Sequence, residues 1–478
     1  MKNLFRKPDA LAGYLFITLA AVCSSPGTAA TEHAGYPLQA SPMTGGDGTV
    51  DQADTNAYSL PQGNLSMTKR LDFSVGNSFF RNPWVEAPAS TDARDGLGPL
   101  FNTNSCQGCH IKDGRGNPPS VDSPSVSLFL RLSVPADPDT DAQVLKTQGF
   151  KPAPVYGGQL QTAAVSGMKP EANLHIEWRT LTETLPDGTR IKLREPVYRI
   201  GSPNYGPLPD DLLVSPRVAP PMIGMGLLEA IPIESLQGLA DPEDKDGDGI
   251  SGHLNQVWSI DGQKTVPGRF GWKAAEPDVH QQAMGAFAGD MGLTSSQRPK
   301  TDCTPQQGCD GFPNGGEPEV SDKIARFITF YSRSLAIPAR RDMDNPAVQA
   351  GARLFNEAGC AACHTPRHTT GEVADRPDLS NQTIWPYTDL LLHDMGDRLA
   401  DGRPVFEADG REWRTPPLWG IGLTQTVNPQ AGFLHDGRAR TLEEAILWHG
   451  GEARPATDAY RAMDAADRAS IIRFLESL

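Results

Sequence analysis

The sequence lacks any internal apolar run near the roughly 18 residues that a membrane helix needs, which excludes a polytopic membrane protein. Positive charge is also scarce, because 43 Lys and Arg stand against 58 Asp and Glu, for a net charge of −15. Binding to phosphates requires Lys and Arg, so we expect no nucleic-acid partner. Gly and Pro are abundant, 48 and 42 of 478 residues, which predicts many loops around short helices.

The N-terminus departs from this pattern. Three basic residues precede a mostly apolar run at 11–22, and small residues follow at 27–30. This order predicts a secretory signal peptide over 1–30, followed by a flexible segment over 31–60. The run is short for a membrane anchor, and lipidation of Cys23 stays an alternative to its removal. We therefore expect a periplasmic or otherwise exported protein, with no transmembrane span in its mature form.

Four of the seven cysteines lie in two copies of a C-x-x-C-H motif, CQGCH and CAACH. This spacing is typical of c-type haem attachment, in which two thiols form thioethers with the haem vinyl groups and the adjacent histidine binds the iron. A redox dithiol would not need the histidine, and a zinc site would have to join halves about 250 residues apart. The motifs predict two covalently attached haem c groups, held by Cys106, Cys109, His110, Cys360, Cys363 and His364.

The remaining pair of cysteines has a different context. Cys303 and Cys309 lie in a polar segment, CTPQQGC, and no histidine follows them. In an oxidising compartment this spacing predicts a small-loop disulfide, with two free thiols as the alternative.

The surroundings of the two motifs repeat. The tripeptide LFN stands three residues before each first cysteine, and amphipathic helices are predicted at 321–335 and 464–478. We interpret the chain as two cytochrome c-like haem domains, over 61–340 and 341–478. The first carries an insertion at about 120–235 that is rich in alternating apolar and β-branched residues. The expected fold class is mainly α, with a β-rich insertion in the first domain.

Six segments carry a further signature: GLGPLFNTNSCQGCH, APPMIGMGLLEAIP, DKDGDGISGHLNQVW, GRFGWKA, YTDLLLHDMGD and FLHDGRARTLEEAILWHGGEA. Together they resemble the bacterial di-haem oxidoreductase family, whose members are often labelled thiol oxidoreductases or peroxidases. The resemblance covers most of 65–478 and extends more remotely to the di-haem cytochrome c peroxidases. It implies a periplasmic redox protein whose N-terminal haem is reactive and whose C-terminal haem is the electron-entry site. It does not establish a substrate.

The peroxidase pattern indicates His449 as the sixth ligand of the C-terminal haem. In that pattern a Met follows 14 residues after the His of an FHDG-like turn, and 14 residues after His435 this chain has His449. Two imidazoles leave a haem at lower potential than a Met ligand does. Alternatively, His449 caps a helix before two glycines. His435 itself and His393, in LLLHDMGD, are candidate haem contacts, with structural polar roles as the alternative.

The sixth position of the N-terminal haem stays open. The position of the distal histidine in the peroxidases is occupied here by Val126, which cannot bind iron. The iron is therefore either accessible to peroxide or bound by one of four residues: Met222, Met225, His253 or His280. Glu229, in GLLEAIP, is the candidate catalytic acid–base group, since peroxide cleavage needs a group that takes a proton and returns it. A helix-surface role for Glu229 is the alternative.

A second metal site is predicted in an acidic loop. Asp244, Asp246 and Asp248 precede Gly249 in a D-x-D-x-D-G pattern, which is typical of calcium binding. The twelfth position of an EF-hand would be Glu and is Asn255 here, so the loop is not a complete EF-hand. The alternative to a bound Ca²⁺ is a solvated acidic turn.

These features predict an exported di-haem oxidoreductase. Electrons would enter at the C-terminal haem and pass to the N-terminal haem, which would reduce a small oxidant, with peroxide as the default. The expected partner is a small periplasmic electron donor, such as a cytochrome c or a cupredoxin. Two alternatives remain: an electron-transfer cytochrome without a substrate, and an accessory redox subunit of a periplasmic system.

Overall fold

A computed structural model of the protein describes residues 41–91, 93–120 and 126–478. The predicted signal peptide and the first part of the predicted flexible segment lie outside these residues. The later part of that segment includes a short 3₁₀ turn at Gly46–Gly48 and the buried side chains of Ala57 and Tyr58. None of the helices in the described part of the chain combines the length and apolarity required to cross a bilayer.

Helices and strands alternate along the described chain. The α-helices are α1 Met67–Arg81, α2 Cys106–Cys109, α3 Ala142–Gln148, α4 Met225–Glu229, α5 Ile233–Gln237, α6 Val279–Met291, α7 Asp322–Arg333, α8 Pro346–Glu357, α9 Thr424–Val427, α10 Leu442–Trp448, α11 Arg454–Ala462 and α12 Ala465–Ser477. The strands are β1 Leu100–Phe101, β2 Leu128–Ser133, β3 Ala163–Ala164, β4 Asn173–Thr184, β5 Arg190–Gly201, β6 Leu213–Val218, β7 Gln256–Ser259, β8 Lys264–Pro267, β9 His368–Thr369, β10 Thr383–Ile384, β11 Leu392–Asp394 and β12 Glu412–Arg414.

The prediction of a mainly α fold is wrong. Within the described residues, helices, 3₁₀ turns included, account for 29% and extended strands and bridges for 18%, and the strands pair into six two-stranded antiparallel sheets. Three of these sheets, β7–β8, β9–β10 and β11–β12, lie outside the predicted insertion. Their strands are two to four residues long, too short to produce a recognisable alternation in the sequence. This secondary structure does not by itself show two cytochrome c-like domains.

Two helix pairs frame the two cysteine motifs. Helix α1 packs against α7, and α8 packs against α12. At each crossing a glycine allows the two helix backbones to approach closely. A Cβ at Gly76 would collide with the Phe327 carbonyl, and one at Gly351 with the Ser470 carbonyl. The helices predicted at 321–335 and 464–478 are confirmed as α7 and α12, each with the expected side-chain cap at its start.

A long hairpin extends from the first half of the chain to the second. Strands β4 and β5 pair over twelve residues each. Leu185 of the turn and Leu193 of β5 lie in the apolar cluster that also contains Phe474 of α12. Two ion pairs join the tip of the hairpin to the C-terminal helices. Glu183 pairs with Arg461 of α11 at 2.8 Å, and Asp187 pairs with Arg468 of α12 at 2.7 Å. The β-rich segment therefore holds the C-terminal helices in place.

The disulfide prediction is confirmed, because Cys303 and Cys309 are bonded. Their loop lies against the buried carboxyl group of Glu171, which accepts hydrogen bonds from the Gln307 side chain and from the Gln161 backbone N–H. Burial raises the pKa of Glu171 to about 8. The disulfide loop therefore covers a buried, hydrogen-bonded carboxyl group.

Two candidate haem centres

The N-terminal motif forms a single helical turn. Ser105 caps α2 by accepting the Gly108 N–H, and the turn brings Cys106 and Cys109, both free thiols, onto one side. His110 ends the turn, and its Nδ1 lies 2.7 Å from the Pro220 carbonyl oxygen. With Nδ1–H donating to that carbonyl, the Nε2 lone pair is available to a metal. Burial lowers the pKa of His110 to about 4, so its imidazole is neutral at pH 7.

The C-terminal motif repeats this arrangement with different backbone geometry. Cys360–Ala362 is a 3₁₀ turn, and both of its motif cysteines are free thiols. The Nδ1 of His364 lies 3.1 Å from the Tyr387 carbonyl oxygen. Burial lowers the pKa of His364 to about 4. In both motifs, a neutral imidazole anchored through Nδ1 presents Nε2 as a ligand atom.

The two centres differ in what faces the motif histidine. After burial, the largest influence on the pKa of His364 is the nearby His449 imidazole, which lowers it further. For His110, burial lowers the pKa and the hydrogen bond to the Pro220 carbonyl opposes that lowering. His449 is the C-cap residue of α10, as the alternative interpretation held, and its Nδ1 lies 2.7 Å from the Ala445 carbonyl. Because this hydrogen bond uses Nδ1, the Nε2 atom of His449 stays available, so His449 can both cap α10 and serve as an iron ligand.

The other two predicted histidines have well-defined but different surroundings. His435 is buried and stacks on Trp413, with ring centroids 3.8 Å apart and planes 11° apart.

His393 lies between two carboxylates, 2.8 Å from Asp389 and 2.7 Å from Glu452. Its Nδ1 is also 3.7 Å from the Cys363 sulfur. Burial lowers the pKa of His393, but the hydrogen bonds outweigh burial and raise it well above its usual range. His393 is therefore a cation beside Cys363, the second cysteine of the C-terminal motif.

The four residues left open for the N-terminal centre are spread apart. Met222 packs in the apolar cluster that includes Cys106, whereas Met225 packs in a separate cluster. His253 pairs with Glu412 at 2.8 Å, and His280 is hydrogen-bonded to Thr329 at 2.9 Å. Met222 is therefore the member of this set that shares a cluster with an N-terminal motif cysteine. Its backbone N–H also donates to the Asp113 carbonyl, three residues after His110.

Glu229 ends α4 and is partly enclosed. Its carboxylate accepts the Val279 N–H at 3.1 Å and lies 3.4 Å from Arg333. Burial raises the pKa of Glu229, although Arg333 and the Val279 N–H oppose the rise. The side chain is 20% exposed, so the carboxylate is partly accessible to solvent.

The acidic loop brings its three carboxylates together. Asp244, Asp246 and Asp248 place one oxygen each within 4.8 Å of one another. The loop turns through left-handed conformations at Gly247 and Gly249. Carboxylates of Asp244 and Asp246 also accept backbone N–H groups of the same loop. This geometry accommodates a hard cation and equally describes a self-bonded acidic turn.

Several residues around the centres left no signal in the sequence. The carbonyls of Pro220 and Tyr387 orient the motif histidines, and a backbone oxygen carries no residue-type signature. Among the buried polar atoms without a hydrogen-bond partner in the described part of the chain are Arg115 Nε and Trp448 Nε1. Trp448 precedes His449, and Arg115 follows His110 by five residues. Free thiol pairs, oriented neutral imidazoles and unpaired buried donors together fit a group that brings iron and acceptor atoms.

Comparisons with known proteins bear on both motifs. A family model described as "Di-haem oxidoreductase, putative peroxidase" matches residues 39–478. A curated relative, the cytochrome c551 peroxidase of Pseudomonas aeruginosa, is 25% identical over 181 residues. That alignment covers 35% of this chain and 46% of the relative, so the chain spans about half the length of the curated relative it matches.

Proposed function

Because the chain belongs to the di-haem oxidoreductase family, we propose that it is an exported c-type enzyme that reduces a small oxidant, peroxide by preference. Electrons enter at the C-terminal haem and pass to the N-terminal haem. The balanced reaction takes one hydrogen peroxide, two electrons and two protons to two waters. Bound haem supplies one-electron redox chemistry and an iron that can bind an oxygen atom of the oxidant.

The proposal is carried by the asymmetry between the centres. The imidazole of His449 lies close enough to His364 to lower its pKa, and its Nδ1 is occupied by the Ala445 carbonyl, so that its Nε2 is available. At the N-terminal centre, His110 is anchored by the Pro220 carbonyl. If His364 and His449 both hold the C-terminal iron, that centre would suit electron transfer, and the N-terminal centre, held by His110, would suit substrate binding if Met222 does not bind its iron. We assign electron entry to the C-terminal centre and oxidant reduction to the N-terminal centre. Cys106, Cys109, Cys360 and Cys363 provide the thioether links.

Around these centres we propose supporting roles for the remaining residues. His393 and His435 contact the C-terminal centre, since His393 lies beside the Cys363 sulfur and His435 stacks on Trp413, whose cluster also includes Cys360. The electron donor is a small periplasmic protein, such as a cytochrome c or a cupredoxin. The name of the curated relative, a cytochrome c551 peroxidase, favours a cytochrome.

An EPR spectrum of the half-reduced, haem-loaded mature protein, with and without peroxide, tests this assignment. We expect a high-spin ferric signal that changes when peroxide is added. Two low-spin signals that ignore peroxide would contradict the enzyme proposal and favour an electron carrier. Peroxide turnover only with a co-purifying protein would instead favour an accessory redox subunit.

Glu229 is proposed as the catalytic acid–base group, and its pH dependence follows from its surroundings. The carboxylate form accepts the first proton of peroxide, so the rate of wild type should fall as the pH drops through the raised pKa of Glu229. Glu229→Gln should lower peroxide turnover by about 10²-fold or more and remove that acid limb. Steady-state rates across pH give the measurement. Glu234→Gln, at an exposed position on neighbouring α5, is the matched control. An unchanged rate and profile in Glu229→Gln would leave Glu229 a structural partner of Arg333.

Calcium in the acidic loop is proposed as a structural cofactor. A ligand that binds only the folded protein stabilises it, by about 2.7 kcal/mol at a concentration 100 times Kd. Chelation should therefore lower the melting temperature of wild type, and added Ca²⁺ should restore it. Asp246→Asn should abolish the calcium response, whereas Asp211→Asn, an exposed acid outside the loop, should retain it. A melting temperature that ignores chelation would identify the loop as a solvated acidic turn.

A further inference from the structure

Buried positive charge surrounds two tryptophans near the C-terminal centre. The guanidinium of Arg115 lies 5.3 Å from the ring centroid of Trp272, and Arg217 and Lys273 lie 5.9 and 4.7 Å from that of Trp413. Exposure of these three cations is 7%, 8% and 0%. The Trp272 carbonyl accepts the N–H of the residue after Trp413, so both rings belong to one region of the molecule.

The carboxylates of this region are too few to balance the cations. Asp401 pairs with Lys273 at 2.9 Å, and Asp436 pairs with Arg438 at 2.8 Å. Within the described residues, Arg115 and Arg217 have no carboxylate within ion-pair distance, and each has a buried nitrogen without a hydrogen-bond partner.

Two further groups nearby do not correct the imbalance. Arg403 adds another buried cation, whose backbone carbonyl accepts from Lys273. Burial lowers the pKa of His435 to about 4, so its imidazole is neutral. Burial also lowers the pKa of Arg115 and Arg217 to about 10 and that of Lys273 to about 8, yet all three remain mainly cationic at pH 7. Asp436 and Asp401 act on Arg115 and Arg217 only at longer range. Because unpaired buried charges destabilise a folded protein, a further anion would stabilise this region.

The location of these buried cations indicates the chemistry of the anion. Trp272, Trp413 and Leu434 share an apolar cluster with Cys360, the first attachment cysteine of the C-terminal motif. Arg115 reaches the same place, because its guanidinium donates to the Leu434 carbonyl. A haem attached through its vinyl groups carries two propionate carboxylates on the opposite edge of the ring. Carboxylates are also the acceptors that suit the forked donors of arginine.

We propose that Arg115 and Arg217 bind the propionate carboxylates of the C-terminal haem and thereby set its reduction potential. Lys273 contributes only its charge, because its Nζ already donates to Asp401 and to the Arg403 and Asp409 carbonyls. This proposal rests on the proposed haem attachment at the C-terminal motif. Arg115 and Arg217 act as positioning residues, since they neutralise and orient the haem edge without contacting the oxidant. Their charge stabilises the ferrous form, so this cluster offsets part of the lowering that two imidazole ligands cause.

The test is a spectroelectrochemical titration of the holoprotein in which both haems are followed separately. Arg217→Gln should lower the potential of the C-terminal haem. We expect the ratio of ferric to ferrous haem at a fixed potential to rise about tenfold, which corresponds to 59 mV for a one-electron couple. Arg217→Lys keeps the charge and should recover most of the wild-type potential. Arg115→Gln is an independent second variant with the same expected direction.

The matched control is Arg376→Gln. Arg376 is as buried as Arg217 but is already paired with Asp378 at 2.6 Å, so both haem potentials should stay unchanged. Equal potentials in wild type, Arg217→Gln and Arg115→Gln would overturn the proposal. So would a wild-type potential that follows the chloride or phosphate concentration, because the anion would then come from solution. A mass without haem at Cys360 and Cys363 would contradict the proposed function itself, so the two failures are distinguishable.

Discussion

His449→Met should raise the reduction potential of the C-terminal haem by an amount on the order of 0.1 V, within the wide range that axial ligands control. The reason is that a thioether donates less electron density to ferric iron than an imidazole does. The contacts of His449 suit the proposed ligand role. Its Nδ1 lies 2.7 Å from the Ala445 carbonyl, and its imidazole is near enough to His364 to lower the pKa of that residue. A spectroelectrochemical titration that resolves the two haems measures the shift.

Two variants complete this experiment. His449→Ala should convert the low-spin EPR signal of the C-terminal haem to high spin, since it would remove the proposed sixth ligand and put no donor in its place. His175→Met changes an exposed histidine on β4 and should alter neither potential nor spin state. If His449→Met titrates like wild type, His449 serves only as the cap of α10.

Replacing both cysteines of either motif by alanine should remove one covalent haem from the protein. Intact-protein mass spectrometry should find two haems in wild type and one in each double variant, Cys106→Ala/Cys109→Ala and Cys360→Ala/Cys363→Ala. The consequences for function should differ. Loss of the N-terminal haem should abolish the peroxide-sensitive EPR signal, whereas loss of the C-terminal haem should preserve that signal and abolish turnover with a protein donor.

The disulfide cysteines provide the control for this pair of variants. Cys303→Ser/Cys309→Ser should retain both haems, because these residues are bonded to each other and lie outside the motifs. A wild-type mass without any covalent haem would contradict the central assignment. A wild-type mass with one haem would restrict it to a single centre.

The family and several local elements could be predicted from the sequence because each depends on residues close together in the chain. The resemblance to di-haem oxidoreductases is confirmed over 39–478. The amphipathic helices at α7 and α12 and the Cys303–Cys309 disulfide are also confirmed. The fold class was not predictable in the same way. The short strands of β9 to β12 depend on partners elsewhere in the chain, so the mainly α expectation failed.

By itself, the sequence determined the two C-x-x-C-H motifs, their spacing to the preceding LFN, and the positions of the histidines that could serve as ligands. Only the tertiary structure decided which groups meet those histidines. Carbonyls of Pro220 and Tyr387 orient the motif imidazoles, and His449 comes within range of His364. The unpaired cations at Arg115 and Arg217 were likewise invisible in the sequence. The physical reason is that burial and pairing depend on long-range packing, whereas a motif records only the residue types that are adjacent in the chain.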